Sequence, residues 1–191
     1  MASVVFAGVG GQGVILAARL LSSAALRAGL DVKSSEVHGM AQRGGSVTAQ
    51  VRFGRRVFSP LVPAGGADYL AALEELEALR SAPVLSPRGT VILVRRRIPP
   101  ATVLSGAARY PENAAETLRL LGLRVIEVEP KAIAAAAGDE AFANVFALGA
   151  LSSLLDFPGG IWEETLAAAL PERKREENLA AFAAGAALAQ K

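Results

Sequence analysis

Residues 4–21 read VVFAGVGGQGVILAARLL, and this stretch decides the fold. Val4 to Ala7 is a short, β-branched, continuously apolar run of the kind that fills a central strand buried on both faces. Four glycines follow within six residues: Gly8, Gly10, Gly11 and Gly13. Val14 to Ala28 then sets Ile15, Leu16, Ala18, Leu20, Leu21, Ala25 and Leu26 at helical spacings, closed by Gly29 as a C-terminal cap. The expected order is strand, tight turn, helix. Gly8, Gly10 and Gly13 also satisfy the spacing G-x-G-x-x-G in the context it requires. Glycine permits positive φ and lets backbone N–H groups approach an anion, while a helix starting at Gly13 adds its dipole and unpaired donors. A carboxylate or phosphate is at home in such a turn, which also contains Gln12.

Downstream, the chain extends again from Asp31 (DVKSSEV) and enters HGMAQRGGS, where glycines and polar residues predict a loop. Ser46 to Phe53 alternates: Val47, Ala49, Val51 and Phe53 on one side, Ser46, Thr48, Gln50 and Arg52 on the other. That is a strand with one wet or partner-facing side. Gly54-Arg55 reads as a hairpin turn into RVFSP, so an antiparallel pair is expected there. DYLAAL (68–73) fits either a helix start or a short buried strand by spacing alone. Gly89 to Val94 reads as a buried strand, Pro111 to Leu121 as a helix with Gly122 beyond it, and RVIEVEP as another strand. Helices are expected over 131–137, 140–155 after an Asp139 cap, 161–170 and 172–190. The sum is one α/β/α three-layer, Rossmann-like domain over residues 1–191, with a mostly parallel sheet, an antiparallel hairpin strand and a helical C-terminal third.

Composition narrows the chemistry. With 191 residues, 52% of them hydrophobic, one substantial core can form. There are no cysteines, which removes disulfides, thiolate metal sites, iron–sulfur ligation and a cysteine nucleophile from this chain. The single histidine, His38, leaves no material for a histidine-rich metal site and reads as a loop or hydrogen-bonding residue. A net charge of +2 and 5% aromatic residues argue against nucleic acid, and the arginine groups 52–56, 95–97 and 173–175 read mostly as solvated surface. No apolar run is long enough to cross a bilayer and no basic segment precedes the first one, so a cytoplasmic location is expected. The alanine-rich end reads as a packed helix, and Trp162 as core or interface. Arg43 differs from the other arginines: small neighbours in QRGGS allow a guanidinium and backbone donors to meet a carboxylate or phosphate.

Taken together, GVGGQGVILAARLL and SSEVHGMAQRGGSVTAQVRFG resemble the gamma-domain family of 2-oxoacid:ferredoxin oxidoreductases. His38, Met40 and Gln42 within EVHGMAQRGG are similar to the separate small subunit of the indolepyruvate branch, and the resemblance continues through FSPLVPAGGADYLAALE, YPE and ANVFALGAL. It implies that DYLAAL is a strand. It implies oxidative decarboxylation of a 2-oxoacid, of the indolepyruvate or aryl-pyruvate type, with coenzyme A, electrons passing to ferredoxin. It further implies thiamine diphosphate, magnesium and iron–sulfur clusters in a larger partner subunit, because this chain has no cysteine and its nearest thiamine-diphosphate signature, GDE at 138–140, lacks the second glycine. On that reading no catalytic residue and no metal ligand lies in this chain. Gly8, Gly10, Gly11, Gln12 and Gly13 form the anion site, which contacts coenzyme A or only packs, and Glu36, His38, Gln42, Arg43, Gly44 and Gly45 form the loop facing the partner or substrate. Self-association of the isolated chain is expected from its apolar composition. Two other readings stay open: an NAD(P)-dependent oxidoreductase, in which Glu36 reaches the ribose about 20 residues after the glycine turn, and a stand-alone binding module of the same fold.

Overall fold

The computed structural model describes residues 1–39 and 45–189. Among them six strands form one sheet in the order β2-β3-β1-β4-β5-β6, with β1 Ala2–Val9, β2 Asp31–His38, β3 Ser46–Gly54, β4 Ala67–Ala72, β5 Leu85–Val94 and β6 Arg124–Val128. β1 pairs in parallel with β4, β4 with β5, and β5 with β6, whereas β3 runs antiparallel to both β1 and β2. β3 is thus the single reversed strand, and the mostly parallel sheet expected from the sequence is what forms.

One face of the sheet carries α1 (Val14–Arg27), α5 (Pro130–Ala137), α6 (Ala143–Ser152), α7 (Ile161–Ala169) and α8 (Arg175–Leu188). Their core joins Val4 and Phe6 of β1 to Leu20 and Leu21 of α1 and to Phe146, Leu148 and Leu151 of α6. The other face carries α2 (Glu75–Ser81) and α4 (Ala114–Leu120), packed on Val5, Leu70, Val91 and Leu93. α3 (Ala101–Leu104) is a single turn between them, too short to leave a sequence signal. α6 is buried along its whole length, which a helix apolar on every side requires. α8 lies against it where Gly149 and Gly185 let the two backbones meet.

Several boundaries follow local chemistry. Gly29, at φ 75°, closes α1 with Leu30 N–H on the Ala25 carbonyl and Gly29 N–H on that of Leu26, a left-handed cap as expected. The Asp139 carboxylate accepts from Ala141 N–H at 2.9 Å, but the segment it caps opens as a 3-10 turn, Glu140–Phe142, before α6. DYLAAL lies in and just after β4, so the resemblance chose correctly where periodicity could not.

The expected hairpin at Gly54-Arg55 does not form. Residues 55–58 are irregular, and the antiparallel partners of β3 are β2 upstream and β1 beyond it. Gly54, the last residue of β3, serves a close approach rather than a turn, since a Cβ there would sit 2.9 Å from the Met1 Cα. Alternation identified the strand correctly; it carries no information about which neighbour completes the ladder.

Candidate functional site

The C-terminal ends of β1, β4, β5 and β6 lie along one rim of the sheet, where ligands bind in open α/β folds. β1 ends at Val9 and the chain turns through Gly10–Gly13, closed by Gln12 N–H on the Val9 carbonyl at 3.1 Å. Gly11 and Gly13 take φ values of 100° and 80°, the left-handed region that favours glycine. Gly13 is also the N-cap of α1, with no side-chain cap and no acidic residue in the first turn. The first N–H groups of α1 therefore face outward without an internal acceptor. Beside them is a cleft of about 370 Å³ lined by Val9, Gly10, Gly11, Gly13, Val14, Ile15 and Val47. No side chain in that lining carries a charge, so the local field comes from backbone donors and the helix dipole, both favouring an anion.

Two amides hold the turn from beneath. Gln12 folds back: its Oε1 accepts from Val9 N–H at 2.7 Å and its Nε2 donates to the Leu73 carbonyl at 2.8 Å. Gly8 makes room for it, since a Cβ on Gly8 would meet Gln12 Oε1 at 2.8 Å and Val14 Cγ2 at 2.9 Å. Gln12 thus clips the turn to the end of β4, and both its polar atoms are used internally. Asn144, buried at the start of α6, donates through Nδ2 to the Gly13 carbonyl at 3.3 Å and fills the space a Gly13 side chain would need. Sequence reasoning missed Asn144, which is 131 positions away with nothing local to mark it.

The second set of expected residues is only partly assembled here. Gly45 reaches the turn: its carbonyl accepts from Gly10 N–H at 2.8 Å. His38 ends β2, and its backbone is in register with Val47, which in turn pairs with Gly8. Met40, Gln42, Arg43 and Gly44 lie outside the described residues. Glu36 stands apart from the turn. It pairs with Ala49, which pairs with Phe6, so it lies three residues short of Val9, or about 10 Å along the strand direction. Its Oε1 is 3.7 Å from Arg19 Nε on α1. In a dinucleotide-binding arrangement the acid-bearing strand adjoins the glycine-bearing one; here β3 lies between them, adding about 5 Å of lateral separation.

The rest of the rim is a charge network that the sequence disguised as helix surface. Glu74, Glu75 and Glu77 are all buried. Glu74 caps α2 by accepting from Glu77 N–H at 2.9 Å, and also accepts from Ile98 N–H and from the Tyr110 hydroxyl. Glu75 accepts from Arg95 Nε at 2.8 Å and Arg97 Nε at 2.9 Å, one on each oxygen. Arg95 reaches on to Glu127, which Arg119 also holds. Arg96 pairs with Glu140 at 2.7 Å. Burial pushes the Tyr110 phenol well above its ordinary range, and its hydrogen bond to Glu74 adds to this. Burial works against ionisation of Glu127, but hydrogen bonds from Arg119 and Arg95 outweigh it and hold the carboxyl below the usual carboxylate range. Arg95–Arg97, expected to be solvated surface, are therefore paired struts tying β5 to its neighbours. The available signal was three carboxylates entering a helix after one parallel strand and three arginines leaving the next.

Among the described residues no group of three or more His, Cys, Asp or Glu is placed to hold a metal ion, and no helix is long and apolar enough to cross a membrane. The donors at the cleft suit an anion; among the described residues its lining holds no nucleophile or proton relay.

The chain matches the pyruvate ferredoxin/flavodoxin oxidoreductase family over residues 3–188. It is 43% identical over 187 residues to indolepyruvate oxidoreductase subunit IorB of Archaeoglobus fulgidus, covering 96% of this chain and 92% of that protein. It is 40% identical over 189 residues to the same-named subunit of Thermococcus kodakarensis, covering 96% and 93%. Among solved structures, it resembles the gamma subunit of a keto/oxoacid ferredoxin oxidoreductase from Geobacter sulfurreducens, with TM-score 0.72 and 24% identity over 100% of this chain and 99% of that one. It also resembles part of 2-oxoglutarate:ferredoxin oxidoreductase from Magnetococcus marinus with 2-oxoglutarate, coenzyme A and succinyl-CoA bound, with TM-score 0.74 and 23% identity over 99% of this chain and 31% of that one.

Proposed function

The chain belongs to the pyruvate ferredoxin/flavodoxin oxidoreductase family, and from that premise we propose that it is the small subunit of a cytoplasmic, indolepyruvate-type 2-oxoacid:ferredoxin oxidoreductase. The complex breaks the bond between the carbonyl and carboxyl carbons of an aryl-pyruvate, releases carbon dioxide, joins the acyl carbon to the sulfur of coenzyme A and passes two electrons to ferredoxin. The residues dictate the division of labour. A chain with no cysteine cannot ligate an iron–sulfur cluster, and GDE at 138–140 is an incomplete diphosphate–magnesium signature. Clusters, thiamine diphosphate and magnesium are therefore assigned to a larger subunit, and the electron path with them.

This chain's own part is to hold an anionic end of coenzyme A. One observation carries the assignment: the uncapped, acid-free N-terminus of α1 opens into the cleft beside Gly10–Gly13, and Gly10 N–H also holds Gly45, just before β3, through its carbonyl. A diphosphate there accepts backbone N–H bonds while Gly45 stays attached to the same turn. The two coenzyme A species bound in the Magnetococcus structure, which shares this fold, support the choice of ligand. A nicotinamide ligand lacks equivalent support, because Glu36 is one strand too far from the turn.

Gln12 variants test the reading. In the complex assembled with its large subunit, Gln12→Met is expected to raise KM for coenzyme A about tenfold by unclipping the turn, the equivalent of losing one to two hydrogen bonds. Gln12→Glu is expected to raise it further, since it also places a negative charge beneath an anion. Steady-state kinetics with coenzyme A varied supplies the measurement. Unchanged KM in both variants, with only thermal stability lowered, would contradict the assignment.

A further inference from the structure

Gly45 is the residue through which the start of β3 meets the glycine turn, and it has no side chain to anchor it. The direction of its carbonyl therefore depends on its neighbours. On one side is Gly10 N–H, at 2.8 Å; on the other is Ser46. Ser46 opens β3 opposite Val9, the last residue of β1. Its hydroxyl donates to Glu77 Oε2 at 2.5 Å, and its carbonyl accepts from Gly39 N–H at 2.8 Å. Side chain and backbone thus both fix Ser46, one residue from the bond to Gly10.

The anchor is a buried carboxylate, which costs free energy unless both oxygens are bonded. The Glu77 side chain is 4% exposed; Oε1 accepts from Arg80 Nη1 at 2.6 Å and Oε2 from Ser46. Arg80 is one helical turn away, so that pair alone could form on an exposed helix surface. The helix does not use the carboxylate as a cap either, since Glu74 accepts from Glu77 N–H. What burial adds is reach to β3, 31 positions back in the sequence. The same β4–α2 junction holds the turn a second time: the Leu73 carbonyl accepts from Gln12 Nε2. One junction therefore clamps the turn from two sides, through Gln12 and through Ser46.

We propose that Ser46 and Glu77 are positioning residues for the anion site, their hydrogen bond holding the Gly45 carbonyl on Gly10 N–H and so keeping the Gly10–Gly13 turn in the shape that meets coenzyme A. The proposal rests on the coenzyme A reading above and deepens it. Neither residue is in the lining of the cleft, so both act through the backbone.

Two substitutions at Ser46 test it, with two readouts. Amide hydrogen exchange at Gly10, followed by NMR on the purified chain, reads the latch without any ligand. Ser46→Ala is expected to speed that exchange about tenfold, because the Gly10–Gly45 bond opens more readily, and Ser46→Thr, which keeps the hydroxyl, to stay within about twofold of wild type. In the complex assembled with the large subunit, Ser46→Ala is expected to raise KM for coenzyme A about fivefold with kcat changed less than about twofold, and Ser46→Thr to restore the wild-type KM. A residue serving stability alone would lower Tm without that split between KM and kcat. Wild-type exchange at Gly10 in Ser46→Ala overturns the latch. Faster exchange with unchanged KM overturns its bearing on the ligand, and a KM that still responds to Gln12→Glu then leaves the coenzyme A reading standing. Unchanged KM in the Ser46 and Gln12 variants alike overturns both.

Discussion

Gly185→Ala is expected to destabilise the chain by about 3 kcal/mol, seen as a fall in Tm of roughly 6–12 °C for a domain of this size. The cause is a helix crossing without slack. A Cβ on Gly185 would overlap the Phe146 carbonyl of α6, and one on Gly149 of α6 would overlap the Phe182 carbonyl of α8. Both clashes are with backbone, so no side-chain rotation relieves them and the helices must separate. Separation strains the rest of the layer, because α6 is buried along its entire length and packs on β4 and β5. Gly149→Ala should act in the same way, and the double variant should cost less than the sum of the two, since the first separation already makes room for the second methyl. Thermal or urea denaturation of the purified chain checks this. A shift of under about 1 °C for Gly185→Ala would mean that the α6–α8 contact is looser than described.

Glu75→Ala is expected to cost about 2–3 kcal/mol, near the lower end for breaking a buried ion pair. The Glu75 side chain is 2% exposed and serves two guanidiniums, those of Arg95 and Arg97. Removing it leaves two cations over a buried gap. The loss is tempered because Arg95 keeps Glu127 and nearly half of the Arg97 side chain is in solvent. Glu75→Gln keeps the shape but not the charge, and is expected to recover less than half of the loss. Urea titration of the three forms measures these differences. An alanine variant within about 0.5 kcal/mol of wild type would show that the rim network is ornament rather than support.

These two sites also mark where the sequence could be read and where it could not. The glycine turn was legible because its requirements are local: positive φ at Gly11 and Gly13, and room for Gln12 beneath Gly8. Strands β1, β3, β5 and β6 were legible from apolar runs and alternation. What resisted was pairing between distant segments. The Gly54-Arg55 hairpin failed because a strand's periodicity does not name its partner, and the same reversed strand, β3, separates Glu36 from the turn that the nicotinamide alternative needed it to serve. Gln12 belonged to the turn as expected, but its amide faces inward, toward Val9 and Leu73, which residue type alone does not reveal. The glutamates 74, 75 and 77 match an exposed amphipathic helix in spacing and become buried only when β5 delivers Arg95 and Arg97 beside them.

The proposed function applies the same logic at a larger scale: it assigns an anion to the turn, and assigns the atoms that break the carbon–carbon bond and carry electrons to a larger subunit. The most direct test is a matched assay of indolepyruvate oxidation, with coenzyme A and an artificial electron acceptor, run on this chain alone, on its large subunit alone and on the two combined, with iron measured in each. The account predicts iron in the large subunit and in the complex, none in this chain, and turnover only where both are present. Turnover by this chain alone, or iron bound to it, would contradict the account.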